Sequence, residues 1–166
     1  MDKTPVEIAR QYEQDILDGK IPACDELIGQ VKRNQRDLAL SQGDEDFAYR
    51  FCEKTANAVC RFFPAAICHS IGAYKGQPFE LLPWQTWVTT QMFGWKKVTG
   101  GSRRYNKTYI TVARKNGKSS FGSALALFFA GFDMNPATNS PESISQVLLA
   151  AVKMEQAKRV IYAEAT

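Results

Sequence analysis

Between Tyr109 and Phe132 the sequence changes its hydrophobic period within a few residues, and few folds accept that order of elements. Tyr109-Ile110-Thr111-Val112-Ala113 is a run of β-branched and aromatic residues, which predicts a buried strand. Arg114-Lys115-Asn116-Gly117-Lys118-Ser119 interrupts it. Beyond, Phe121, Ala124, Leu125, Phe128, Phe129 and Phe132 recur at i, i+3, i+4, i+7, i+8 and i+11, which is one face of a helix. Gly131 and Pro136 predict its end. A Gly-Lys-Ser bend between a strand and a helix is where an anion can be held. The helix start offers unpaired N–H groups and the positive end of a dipole. Gly117 lets the backbone curl, Lys118 supplies a point charge for β- and γ-phosphates, and Ser119 offers a hydroxyl to Mg²⁺.

The usual pattern for such a loop is G-x-x-x-x-G-K-[ST], and its first glycine falls on Val112 here. A bare Gly-Lys-Ser also occurs in basic surface turns, so that reading stays open beside the phosphate loop. The flanking strand and helix patterns favour the loop. On that reading the cradle comprises Arg114, Lys115, Asn116, Gly117, Lys118, Ser119 and Ser120. Lys118 and Arg114 are the candidate catalytic residues, and Ser119 is the candidate Mg²⁺ ligand.

Charge is unevenly placed. The chain carries +4 overall, with 10 Lys/Arg against 12 Asp/Glu in residues 1–78 and 11 against 5 in residues 79–166. No acid stands between Glu80 and Asp133, an interval holding Lys96, Lys97, Arg103, Arg104, Lys107, Arg114, Lys115 and Lys118. A polyanion, nucleotide or nucleic acid, is the economical partner, with a solvated basic face as the alternative. Arg103 and Arg104 fit DNA, a neighbouring subunit or plain solvent equally well.

The 166 residues suffice for about one domain with a real core. No apolar run approaches the roughly 20 residues of a membrane span, and the first residues lack a signal peptide's apolar core. The expected location is the cytoplasm, with no membrane partner. Cys24, Cys52, Cys60 and Cys68 lack close pairing, and apolar neighbours surround Cys60 and Cys68, so buried reduced thiols are expected rather than a metal site. His69 is the only histidine.

The first part reads helical. Thr4-Pro5-Val6-Glu7 forms a capping box with proline at the first helical position, and Gly19 stops that helix. A second helix is predicted from about Ala23 to Leu40, its apolar side formed by Cys24, Leu27, Ile28, Val31 and Leu38. A third is predicted from about Glu45 to Phe63, burying Phe47, Phe51, Ala58, Val59 and Phe62, with Pro64 ending it. A loop through Gly72, Gly76 and Pro78 leads to a short helix from Pro83 to about Phe93. Trp84, Trp87, Phe93 and Trp95 serve there as packing anchors; alternatively Gln85, with a donor and an acceptor, reads an adenine edge while an aromatic neighbour such as Trp84 stacks on the base. Gly100-Gly101-Ser102 reads as a flexible joint. After the loop helix, a strand over about 145–151 and a helix over about 155–165 complete a parallel α/β beginning.

Taken together these residues resemble the N-terminal part of the large terminase subunit of tailed bacteriophages. The likeness is carried by Gly19-Lys20-Ile21-Pro22-Ala23-Cys24, Phe79 to Gln85, Phe93-Gly94-Trp95, Arg103-Arg104-Tyr105, Val112 to Ser119 and Glu155-Gln156-Ala157-Lys158. In that family the loop departs from the strict pattern and carries an arginine at its start, as Arg114 does. The Pro-Trp-Gln segment looks like its adenine motif. The resemblance implies an ATP- and Mg²⁺-dependent motor that threads double-stranded DNA into a capsid in the host cytoplasm. It also implies a small terminase subunit, portal and procapsid as partners, and a ring homo-oligomer. The implied fold is α/β: residues 1–78 a helical region, residues 79–166 the beginning of a parallel-sheet P-loop NTPase domain, cut short.

Relatives pair the loop with an acidic strand end that holds Mg²⁺ and activates water, and with an RNase H-like nuclease domain. Nothing after Val152 reads as that acidic pair, since Glu155 and Glu164 sit in a helical pattern. The expectation is therefore a first third of a family member, a piece, a split reading frame or a prophage remnant, that binds nucleotide and turns over little alone. A helicase-like P-loop NTPase and a non-catalytic nucleic-acid-binding remnant are the alternatives.

Overall fold

The computed structural model describes residues 3–69, 74–135 and 140–141. It divides into two compact units that interleave along the chain: Met1–Phe62 with Leu81–Thr108, and Phe63–Glu80 with Tyr109–Thr166.

In the first unit, α1 (Pro5–Leu17) begins on the expected box, with the Glu7 N–H donating to Thr4 Oγ1 at 3.3 Å and the Thr4 N–H to Glu7 Oε2 at 2.6 Å. It ends at Gly19 (φ +71°), whose N–H reaches Ile16 O while the Lys20 N–H reaches Asp15 O, a pair that satisfies the last carbonyls. Helix α2 (Asp25–Gly43) runs past the predicted break, to Gly43. Its buried stripe is Val31, Asn34 and Asp37, two of them polar, while Cys24 is exposed.

The predicted third helix is instead a short strand and a shorter helix. Strand β1 (Tyr49–Phe51) precedes α3 (Glu53–Ala66), and Phe47 and Phe51 pack from outside the helix around Trp95, at ring separations of 6.4 and 5.3 Å. The buried positions of α3 include Ala56, Val59, Cys60 and Phe63, and Ala58 faces out. Pro64 lies inside the helix rather than at its end. Its ring removes one N–H, but only two more residues follow before the helix stops.

Helix α4 (Pro83–Gly94) matches its predicted span and runs directly into β2 (Trp95–Lys97), which pairs antiparallel with β1 in the register Phe51↔Trp95. Gly94 is required there: a Cβ would stand 2.4 Å from the Phe51 ring. The Gly100-Gly101-Ser102 stretch is an ordered turn, not a flexible joint. Both glycines have positive φ, the Lys97 N–H donates to Ser102 O at 2.8 Å, and the Arg104 N–H donates to Trp95 O at 3.0 Å.

The second unit is a short antiparallel excursion, bridged at Cys68 and Pro78, with α5 (Lys118–Gly131). The Phe63 ring lies 6.4 Å from Phe79 and 6.2 Å from Phe121. His69 sits 5.0 Å from the Phe79 ring and 5.8 Å from Tyr74, as packing rather than chemistry. Strands β3 (Met134–Asn135) and β4 (Ser140–Pro141) form a second antiparallel pair.

The predicted buried strand over 109–113 does not form. Those residues carry no ladder, and Tyr109 is 94% exposed. Strand propensity is realised only against a partner that accepts the backbone hydrogen bonds, and none pairs with them among the described residues. Both named pairings there are antiparallel, so no parallel sheet is present within them. The predicted strand over 145–151 and helix over 155–165 lie outside the described residues. Of the four cysteines only Cys60 is buried, where desolvation pushes its thiol up to about 12. Cys24 and Cys68 are exposed because each sits at an element edge. Among the described residues no helix is long and apolar enough to cross a membrane, and no group of His, Cys, Asp or Glu is placed to hold a metal ion.

Candidate functional site

Helix α5 begins where the sequence predicts, and its first turn is anchored from within. Phe121, Ala124, Leu125 and Phe128 are buried, Phe129 is half-buried, and Phe132, at the far end, is 54% exposed. Phe121 reaches the Phe63 ring from the first turn of the helix, so the bend ahead of it is held by a packed aromatic side chain.

The bend itself is unusual. Gly117 is the N-cap and is left-handed (φ +67°, ψ +18°), where N-caps are normally extended. Lys115 is also left-handed (φ +68°), the one non-glycine residue so placed among the described residues. That conformation costs a side-chain-bearing residue about 1–2 kcal/mol. The two left-handed residues bracket Asn116, directly ahead of the N–H groups of the helix start. Asn116 Nδ2 closes the bend by donating to Ala113 O at 3.3 Å. Phe121 makes the first helical hydrogen bond, its N–H donating to Gly117 O at 2.9 Å. The amides of Lys118, Ser119 and Ser120 precede it and, as at any helix start, have no intrahelical acceptor.

Electrostatics point the same way. Arg114, Lys115 and Lys118 are exposed. The described ion pairs leave all three out. Helix α5 has no acid in its first turn, so three cations crowd the positive end of a helix dipole, an arrangement that an anion would relieve. Ser119 and Ser120 are half-buried, and the Ser119 carbonyl accepts from Ser123 Oγ at 3.1 Å.

Gln85 and Trp84 lie in the other unit, in the first turn of α4. Gln85 is buried, and its Oε1 accepts the Leu82 N–H at 2.8 Å. That satisfies a helix-start donor in the manner of a capping box, although Leu82 has no side-chain oxygen with which to reciprocate. Trp84 is half-buried.

Two polar clusters escape the sequence reading. Asp37 and Arg104 pair inside the first unit, with Arg104 Nη2 2.7 Å from Asp37 Oδ2 and side-chain exposures of 2% and 15%. Burial pushes the Asp37 carboxyl up, but Arg104 and Arg36 outweigh it and hold it below the usual carboxylate value. The Arg104 guanidinium lies over Tyr49 (4.3 Å), Tyr105 (5.1 Å) and Trp95 (5.2 Å), so it is internal rather than offered to DNA. Glu13 is buried on α1, and its Oε1 accepts from Trp87 Nε1 and Asn34 Nδ2, each at 2.6 Å. Desolvation raises the Glu13 carboxyl above its ordinary value although both donors lower it. Charged residues at core-facing helical positions, Glu13 between Ala9 and Ile16 and Asp37 after Val31 and Asn34, are the one signal that could have revealed these clusters.

Residues 83–165, half of the chain, match the family described as terminase large subunit, ATPase domain. The matched stretch includes Trp84, Gln85 and the whole Arg114–Ser120 bend. No curated protein and no solved structure matches the chain.

Proposed function

The chain belongs to the terminase large-subunit ATPase-domain family, and from that premise we propose that it binds ATP with Mg²⁺ at Arg114–Ser120, as part of the motor that drives double-stranded DNA into a bacteriophage capsid. The observation that carries this reading is the left-handed pair at Lys115 and Gly117, set with uncompensated Arg114, Lys115 and Lys118 at the positive end of α5. The residues suit a triphosphate: helix-start amides, an ammonium, a hydroxyl and a guanidinium within seven positions.

The amides of Asn116 to Ser120 would cradle the phosphates. Lys118 would neutralise charge on the β and γ groups, and Ser119 Oγ would hold Mg²⁺, which when bound spreads the charge that develops on the phosphoryl oxygens. Arg114 would face the γ-phosphate and respond to its loss. Gln85 would present its amide N–H₂ to an adenine edge, since its oxygen is already engaged by Leu82, and Trp84 would stack beside it. The parallel P-loop sheet belongs to the same proposal, with Tyr109–Ala113 as a strand once partnered. So do the host cytoplasm, the small terminase subunit, portal and procapsid, and a ring of like subunits.

Ligand that binds only the folded state adds RT ln(1 + [L]/Kd), about 2.7 kcal/mol at a hundredfold excess over Kd. MgATP is expected to raise the melting temperature of the wild-type chain and leave Lys118→Ala unmoved. No rise in the wild type, or an equal rise in both, would remove the nucleotide site.

A further inference from the structure

Helix α2 carries Lys32, Arg33 and Arg36 within about 100° of arc, all exposed and opposite the buried stripe of Val31, Asn34 and Asp37. Between Glu26 and Asp44 the helix has one acid, Asp37. Asp37 is buried and pairs with Arg104 and Arg36, so on this face it offsets Arg36 and leaves Lys32 and Arg33 outside its ion pairs. A second segment joins it. Arg33 Nη2 donates to Tyr105 Oη at 3.2 Å with its guanidinium 5.9 Å from the ring, and Arg104 stacks on the same ring at 5.1 Å. The chain then continues into exposed Asn106 and Lys107. Two stretches about seventy residues apart in sequence are thus clamped into one basic surface.

We propose that this composite face, Lys32 and Arg33 on α2 with Lys107 beside Tyr105, binds the phosphates of duplex DNA without reading base sequence. It rests on the reading that the chain works on DNA and adds a contact on α2, ahead of the family-matched residues. The chemistry favours a duplex over a protein partner. Protein interfaces are built round an apolar core, whereas DNA interfaces are polar and strongly positive. The large exposed hydrophobic residues, Tyr74, Leu82, Val98, Tyr109 and Phe132, all lie outside α2 and the 105–107 segment.

Each phosphate contact contributes about 0.9 to the slope of log K against log salt on duplex DNA. Binding of a random-sequence duplex to the full chain is therefore measured across a salt series. The Lys32→Ala/Arg33→Ala variant should lower the slope by about 1.8, and Lys107→Ala by about 0.9, with affinity at low salt reduced about tenfold or more in the double variant. Lys54→Ala, on α3, should leave slope and affinity unchanged. An unchanged slope in either arm, or an equal loss in Lys54→Ala, would overturn the composite face, as would polyglutamate binding as tightly as the duplex. The double variant should keep the wild-type melting temperature and response to MgATP. A missing MgATP response in both proteins counts against the nucleotide site alone, while the salt slopes still decide the face.

Discussion

Asp37→Asn removes one charge from the interior of the first unit and almost no volume, so its effect isolates electrostatics from packing. Asp37 is 2% exposed and faces two guanidiniums: Arg36, whose Nε and Nη2 donate to Oδ1 at 3.2 and 3.0 Å, and Arg104 on Oδ2. Arg36 is 66% exposed and regains water readily. Arg104 cannot: it is enclosed by Tyr49, Trp95 and Tyr105, and its Nη1 has no hydrogen-bond partner among the described residues. Removing one member of a buried pair costs about 3–5 kcal/mol. Water at Arg36 puts this case at the lower end, about 3 kcal/mol, or a fall in Tm of roughly 6–12 °C for a chain of this size. The sign of the pH dependence follows from the depressed Asp37 carboxyl. Its stabilisation is fully present above the ordinary carboxylate value and is lost as the pH falls through the lower, folded value. Thermal melts from pH 7 down to pH 2 should show the gap between wild type and Asp37→Asn closing in acid. High salt should change the gap little, because the pair is shielded from solvent. A difference below about 1 kcal/mol at pH 7, or parallel acid limbs, would refute an internal ion pair in this role.

Glu13→Ala strands two buried donors, Trp87 Nε1 and Asn34 Nδ2, and should cost about 2–4 kcal/mol. Glu13→Gln keeps an acceptor; because the Glu13 carboxyl is raised, the wild type loses stability as pH climbs through the carboxylate range, so the Gln variant should melt at or above wild type at pH 7 and lose that advantage in acid. Melts in which the two variants are equally damaged would sink this reading. Phe121→Ala deletes a ring that is 1% exposed and rests on Phe63; chemical denaturation should show a loss of about 3–5 kcal/mol, and a loss under about 1 kcal/mol would mean the bend is not anchored there. Gln85→Glu preserves the acceptor for the Leu82 N–H but removes the N–H₂ donor, so ATP affinity by titration calorimetry should fall more than GTP affinity, while the carboxylate placed at this buried position lowers the Tm. Equal losses would reject the adenine role.

Local features were legible wherever a few neighbouring residues decide them. The Thr4–Glu7 box, the Gly19 stop, the span of α4 and the start of α5 all depend on capping chemistry and helical period, which act over one turn. The misread segment over 45–63 shows the limit of periodicity: Phe47 and Phe51 lie four apart as on a helix, yet both converge on Trp95 from a strand and its approach. Lys115 in the left-handed region carries no sequence mark, because glycine or asparagine is what that conformation ordinarily selects. Gln85 was readable as a polar residue with a task, but its engagement with Leu82 needed coordinates.

The sequence by itself determined the kind of chemistry available: a Gly-Lys-Ser bend opening an apolar-faced helix, inside a stretch of 52 residues without an acid. Those properties are written in residue type and spacing. Only the tertiary structure decided which charges remain at the surface to meet a ligand. Arg104 and Lys107 read alike along the chain, yet one is drawn inside against Asp37 while the other is exposed. The reason is that a charge is worth what its surroundings make it, and those surroundings come from α2, about seventy residues away in sequence.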